Sequence, residues 1–204
     1  MSDAVFLTEV CSRDGFQSIR EWIPTEVKVE IVNALIDCGY KQVEVTSFVH
    51  PRAIPQLKDA DDVLAQVKRR DGVTFRALVP NVRGLERAIN AGVHKAKLML
   101  SASDSHSISN ANCTTEEALA QFEPLIERAK ESDIEIAGSI SVAFGCPYEG
   151  DVPVERLIMI CERYASFGIE EVSLADTTGI ANPAQIKRTV RELTQRFPQL
   201  VFTL

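Results

Sequence analysis

What the chain lacks narrows it first. Its 204 residues hold five cysteines, Cys11, Cys38, Cys113, Cys146 and Cys161, an odd and scattered set without a Cys-x-x-Cys pair. That pattern indicates neither a disulfide framework nor a cysteine zinc site, and it fits a reducing cytoplasm. No basic block offsets the net charge of −7, which argues against nucleic acid or an acidic membrane surface as a partner. No segment approaches the roughly 20 apolar residues of a membrane span. Met1-Ser2-Asp3 leads directly into an apolar run, without the pattern of a signal or transit peptide, so the protein is expected to work where it is made. No linker, low-complexity tract or internal repeat breaks the chain, and one incomplete domain over 1–204 is expected.

What is present is ordinary globular material, 45% hydrophobic and 25% charged, enough to bury a core. Short β-rich runs alternate with amphipathic stretches. Strands are predicted at Val5–Val10, Gln42–Thr46, Val73–Val79, Ala96–Ser101, Ile134–Val142, Glu171–Leu174 and Leu200–Leu204. Helices are predicted near Thr25–Cys38, Leu57–Arg69, Val82–Ala91, Val154–Phe167 and Pro183–Arg196. A further helix follows the capping box Thr114-Thr115-Glu116-Glu117, with Leu119, Phe122, Leu125, Ile126 and Ala129 on one face and Pro124 as an interruption. Asp151 and Asn182 are candidate caps before Pro153 and Pro183. Gly39, Gly92 and Gly168 mark helix ends.

Such alternation demands a parallel sheet covered by helices. A doubly wound sheet and a TIM (β/α)8 barrel both satisfy it. The polar residues favour the barrel, because they follow many strands at the same end, where barrel active sites gather. These are Arg13-Asp14, Glu44, Ser47, Asn81, Ser101, Ser103 and Asp176-Thr177. The absence of a Gly-rich fingerprint after the first strand weakens the dinucleotide-binding alternative. The reading is a barrel truncated within strand seven, at Val201-Phe202-Thr203-Leu204.

Arg13 and Asp14 stand side by side where the first strand gives out. As a surface ion pair they would contribute about 0–1 kcal/mol; as one wall of a site they would carry chemistry. Glu44, between Val43 and Val45, is either an outward residue of an alternating strand or a buried carboxylate needing a partner. Asp176 has the same two readings. His50 and His106 read as solvated loop histidines, since neither belongs to a His-x-His pair, and His94 reads as structural. Cys38 and Cys161 read as core packing, and Cys146 as part of a tight turn shaped by Gly145 and Pro147.

The segments TEVCSRDGFQS, VEVTSFVHPRAIPQ, NANCTTEEAL, GCPYEG and SLADTTG, in this order over essentially the whole chain, resemble the 3-hydroxy-3-methylglutaryl-CoA lyase family of metal-dependent barrel enzymes. The Arg-Asp-Gly core alone is shared with isopropylmalate-type synthases, and His106 is similar to their Ser-x-x-His segment after strand four. The resemblance implies cleavage of a 3-hydroxyacyl-CoA to acetyl-CoA and a 3-oxo acid, and hence a place in leucine degradation. It implies Asp14 as ligand of a divalent cation, Mg2+ or Mn2+, and Arg13, Glu44 and Asp176 as catalytic. Gln17, Ser47, Asn110 and Thr177 fall on substrate-pocket positions. An acyl-CoA is the implied partner, with a homodimer left open. The family's His-x-His pair, its asparagine and its Gly-Gly-Cys loop have no counterpart in these residues, so the chain alone is expected to be inactive. The alternatives are an acetyl-CoA-condensing synthase and a non-catalytic module binding an acyl-CoA or a partner chain.

Overall fold

In the computed structural model, which describes residues 5–204, seven strands are hydrogen-bonded in the order of the sequence: β1 (Thr8–Glu9), β2 (Gln42–Ser47), β3 (Thr74–Leu78), β4 (Lys95–Ser101), β5 (Glu135–Ser141), β6 (Glu171–Leu174) and β7 (Val201–Thr203). The paired strands run parallel. The helices are α1 (Thr25–Asp37), α2 (Ala60–Gln66), α3 (Val82–Asn90), α4 (Asp104–Ala111), α5 (Thr115–Lys130), α6 (Val154–Ser166) and α7 (Pro183–Arg196). A π-helical turn lies at Cys11–Gly15 and a 3-10 turn at Pro55–Leu57. Strands in sequence order are those of a (β/α)8 barrel carried into its seventh strand, because a doubly wound sheet must reverse its order at a switch point. Among the described residues, no helix is long and apolar enough to cross a membrane.

The described residues form two compact units, one running up to Lys97 and including Ala129–Glu135, the other of Leu98–Arg128 with Ile136–Leu204. In the first, Val43 to Ser47 of β2 are all buried, as expected of a parallel strand covered on both faces. The β2–β3 register slips between Glu44, which faces Arg76, and Thr46, which faces Ala77. Val45 is therefore the extra residue of a bulge, a device that re-aims the side chains on either side of it. The side chain of Asn81 accepts from the Gly84 N–H at 2.9 Å and starts α3. His94 Nδ1 accepts from the Phe75 N–H at 2.9 Å, the structural role expected of it.

In the second unit the capping box forms as read. Thr114 N–H donates to Glu117 Oε2 at 2.7 Å, and Glu117 N–H donates to Thr114 Oγ1 at 3.2 Å. α5 continues through Pro124, which lies on its exposed side. Asn182 caps α7 through the Gln185 N–H at 2.9 Å, with Pro183 opening the helix. Gly168, at φ +81°, takes the left-handed conformation that ends α6 at little steric cost. Against β5, the buried ring of Tyr164 lies over Gly138, where an added Cβ would come within 2.7 Å of it. Gly138→Ala should therefore lower stability by about 1–3 kcal/mol through overpacking. A urea titration would show this as an earlier midpoint with an unchanged slope, and an unshifted midpoint would mean that the ring yields freely.

Four expectations need correction. Only Thr8–Glu9 of Val5–Val10 is strand, because β2 begins pairing at Gln42, opposite Thr8, and nothing pairs the residues before it; Val5, Phe6 and Leu7 are exposed. Cys38 closes α1 at the surface and does not pack in the core, whereas Cys161 is buried. Asp151 does not cap α6, which starts after Pro153 without a side-chain cap. His106 lies in α4, a helix not predicted, and its Nδ1 is 2.7 Å from Ser101 Oγ. The polar Ser-Asp-Ser-His-Ser-Ile-Ser-Asn stretch has little apolar periodicity to reveal a helix.

Candidate active site

The first unit gathers charge at the end of β1. The chain leaves the strand through the π-helical turn, in which the N–H groups of Arg13 and Asp14 both donate to the Val10 carbonyl, at 3.0 and 2.7 Å. Such wide turns recur at functional sites because the extra residue aims side chains that a regular helix would not. This one sends the Arg13 side chain inward, 9% exposed, and leaves the Asp14 side chain 63% exposed.

Inside, Arg13 Nε donates to Glu44 Oε1 in a short ion pair, and Arg13 Nη1 donates to Asp14 Oδ1 at 2.6 Å. The second Glu44 oxygen, Oε2, accepts from Lys97 Nζ of β4 at 3.0 Å. Four charges of alternating sign thus run Lys97, Glu44, Arg13, Asp14, with the least exposed of them, Glu44, between the two cations. The Glu44 side chain is 0% exposed. Burial pushes its pKa up, but the ammonium of Lys97 and then the guanidinium of Arg13 pull it down further, and the net result lies below the ordinary carboxylate value. Glu44 is therefore an anion held between two cations. Two residues earlier on β2, Gln42 Oε1 accepts from Arg76 Nη1 at 2.7 Å and from Thr8 Oγ1 at 3.2 Å, a second polar layer.

The other expected site residues have separate surroundings. Ser47 is buried, and its Oγ accepts from the Val49 N–H at 3.2 Å. Gln17 is exposed and lines a depression of about 570 Å³ together with Arg20, Trp22 and Lys58. In the second unit, Asp176 closes a turn: Oδ1 accepts from the Ile180 N–H and Oδ2 from the Ala181 N–H, each at 3.1 Å. Thr177 Oγ1 accepts from the Val142 N–H at 2.8 Å. Val142 itself has φ +51°, a left-handed conformation that costs a β-branched residue about 1–3 kcal/mol. Asn110 lies exposed on α4. Cys146 is buried; its Sγ accepts from Ser103 Oγ at 2.9 Å, and its backbone pairs with Gly150 across the turn.

Lys97 escaped the sequence reading. It stands two residues after Lys95, and the two lysines read alike. Lys95 Nζ lies 3.0 Å from Glu135, at a side chain mostly exposed, while Lys97 meets the buried Glu44. The one available signal was its place between Ala96 and Leu98 in a strand flanked by apolar residues.

For a divalent cation, Asp14 offers an exposed carboxylate of which Arg13 engages one oxygen. Among the described residues, no group of three or more His, Cys, Asp or Glu side chains is arranged to hold a metal ion. These residues do not by themselves make a metal centre.

Parallel strands in sequence order, with helices between them and Arg13 joined to Glu44 and Asp14 where β1 ends, place the chain in the (β/α)8-barrel fold class. The chain matches the HMGL-like family model over residues 4–204 and belongs to that family. It is 44% identical to the hydroxymethylglutaryl-CoA lyase YngG of Bacillus subtilis, over 95% of this chain and 65% of that protein. It is 36% identical to the cytoplasmic 3-hydroxy-3-methylglutaryl-CoA lyase of Rattus norvegicus, over 97% of this chain and 58% of that one. Among solved structures, the Bacillus subtilis HMG-CoA lyase superposes with a TM-score of 0.94 at 44% identity, covering 97% of this chain and 67% of that one. An Acinetobacter baumannii HMG-CoA lyase in complex with coenzyme A and 3-methylmalate superposes with a TM-score of 0.92 at 35% identity, covering 97% and 65%. The chain thus spans less than two thirds of the length of the curated relatives it matches.

Proposed function

We propose that the whole protein is a hydroxymethylglutaryl-CoA lyase. The observation that carries this is the arginine fixed at the end of β1: its Nε and Nη1 are held by Glu44 and Asp14, and Nη2 is left as the donor for a third group. Cleavage breaks the bond between C2 and C3 of the substrate. The C3 hydroxyl loses its proton and becomes the ketone of acetoacetate, while C2 leaves as the enolate of acetyl-CoA and is then protonated. The negative charge that develops on the thioester oxygen needs a cation already in place, since reorganising one during the reaction would add to the barrier. Arg13 serves that need. Glu44 orients the guanidinium.

A divalent cation, when bound, would polarise the hydroxyl and hold the substrate carboxylate. Asp14 is our candidate for one of its ligands, with the others coming from outside the described residues. Asp14→Ala in the whole protein should weaken Mn2+ binding by about tenfold or more, with little change in thermal midpoint, because the side chain is 63% exposed. A titration that returned equal affinities would remove Asp14 from the ligand set. Asp176, which already serves the turn from Asp176 to Ala181, is assigned the positioning of that loop. A cytoplasmic location agrees with five free thiols.

The reaction is tested by incubating the whole protein with 3-hydroxy-3-methylglutaryl-CoA and Mn2+ and measuring acetyl-CoA and acetoacetate, with the 204-residue chain as the expected inactive comparison. Equimolar release of the two products supports the lyase. Consumption of acetyl-CoA with a 2-oxo acid, and no cleavage, would make the protein a synthase instead.

A further inference from the structure

We propose that Lys97 is a positioning residue of this reaction: by occupying Oε2 of Glu44 it holds the carboxylate against Arg13 and so fixes the direction in which the guanidinium meets the substrate. The link to an enolate rests on the lyase reading; the link between the three side chains does not.

Glu44 has no exposed surface, so water cannot stand in for a lost partner. Its two oxygens are divided between two cations, Oε1 to Arg13 Nε and Oε2 to Lys97 Nζ at 3.0 Å. A carboxylate tied at both oxygens cannot turn about its terminal bond, and a guanidinium tied to it through Nε keeps its plane. With Oε2 unpaired, the buried anion would rotate towards another donor or take up a proton, and Arg13 would lose the partner that sets its orientation. Lys97 is itself well anchored, because its backbone carbonyl accepts from the Val79 N–H at 3.0 Å within the sheet. At 11% exposure its side chain is nearly as buried as that of Arg13, at 9%, and its ammonium meets the fully buried Glu44, whereas Asp14 at the other end of the chain of charges is 63% exposed. Lys97 therefore acts through Arg13, and substrate contact is not required of it.

A buried ion pair can also be purely structural, and replacing one with apolar groups is often neutral. The test separates the two roles. In the whole protein, kcat and KM for 3-hydroxy-3-methylglutaryl-CoA are measured for wild type, Lys97→Met and Lys97→Arg, each also in the Arg13→Lys background. Solvent exchange of the Arg13 Nε–H is followed by NMR with isotope-labelled arginine, the resonance being assigned by its loss in Arg13→Lys. Lys97→Met should lower kcat by about 100-fold, the scale set by a small misplacement of a catalytic group. KM should change by less than about twofold, and Nε–H exchange should quicken by about tenfold or more. Lys97→Arg should restore both readouts. In the Arg13→Lys background, Lys97→Met should cost less than about twofold further, since residues acting as one unit are not additive.

An unchanged Nε–H exchange rate in Lys97→Met overturns the proposal, and so does the same fractional loss of kcat with or without Arg13. If Lys97→Met does not fold, Lys97→Gln is read by the same measurements. If wild type shows no cleavage at all while the exchange arm behaves as stated, the lyase reading falls and the positioning of Arg13 by Lys97 stands.

Discussion

Arg13→Lys in the whole protein should fold as wild type does and lose most of its turnover, about 10²–10³-fold in kcat, equivalent to roughly 3–4 kcal/mol of transition-state stabilisation. Lysine keeps the charge but not the planar fork. Arg13 uses that fork to meet Glu44 through Nε and Asp14 through Nη1. An ammonium at the end of a flexible stem can satisfy Glu44 or reach towards a substrate, and it cannot hold the geometry that does both. The loss should fall on kcat, with KM little affected, because the interaction matters most once charge has moved onto the thioester oxygen. Steady-state kinetics at saturating Mn2+ settle it, and wild-type turnover would take Arg13 out of the mechanism.

The second large effect is on stability. Glu44→Leu removes the one anion between two buried cations, leaving Arg13, 8% exposed, and Lys97, 9% exposed, facing each other across an apolar side chain. Breaking a buried network from one side in this way costs about 3–5 kcal/mol, much more than the pair itself contributes, because the abandoned charges stay desolvated. A urea titration should show the midpoint falling accordingly. The pH dependence gives a second readout with a definite sign. Burial raises the pKa of Glu44, Lys97 and Arg13 together lower it more, and the folded value lies below the unfolded one. Its contribution is therefore complete above the unfolded value, about 4.3 for a glutamate, and is lost as the pH falls through the lower, folded value. Glu44→Leu should lack that acid-side loss. A variant with the wild-type urea midpoint would mean that the two cations find other partners.

Much of the architecture was readable because it rests on local signals. Short β-rich runs between amphipathic stretches placed the strands to within a few residues, and caps such as Asn182 and the Thr114–Glu117 box mark bonds that form within one turn of chain. Glu44 stood out as a carboxylate among valines, and Arg13 with Asp14 as opposite charges at a strand end. What stayed hidden depends on neighbours distant in sequence. Lys97 looks like Lys95 until the fold brings Glu44 to one and Glu135 to the other. α4 takes its cap from Ser103, and Asp104 accepts from Thr115 after the helix has ended, so its stability comes from contacts and not from propensity. The π-helical turn adds a residue that no periodicity announces. The left-handed Val142 could not be foreseen, since valine is among the residues that conformation least favours.

The sequential order of the strands carries a consequence for how the protein is made. Thr8 pairs with Gln42, Gln42 with Thr74, and Glu171 with Val201, so each strand finds its neighbour one βα repeat away. The entropic cost of loop closure grows only slowly with the length of such spans. A ribosome releasing about 5–20 residues each second would thus expose β1, β2 and β3 in an order in which each can dock on the one before. The carboxylate of Glu44 has Arg13 behind it in the chain, but Lys97 follows 53 residues later. During those seconds of synthesis the nascent strand carries a half-neutralised glutamate, and only the arrival of β4 allows it to be sealed from water with both cations in place.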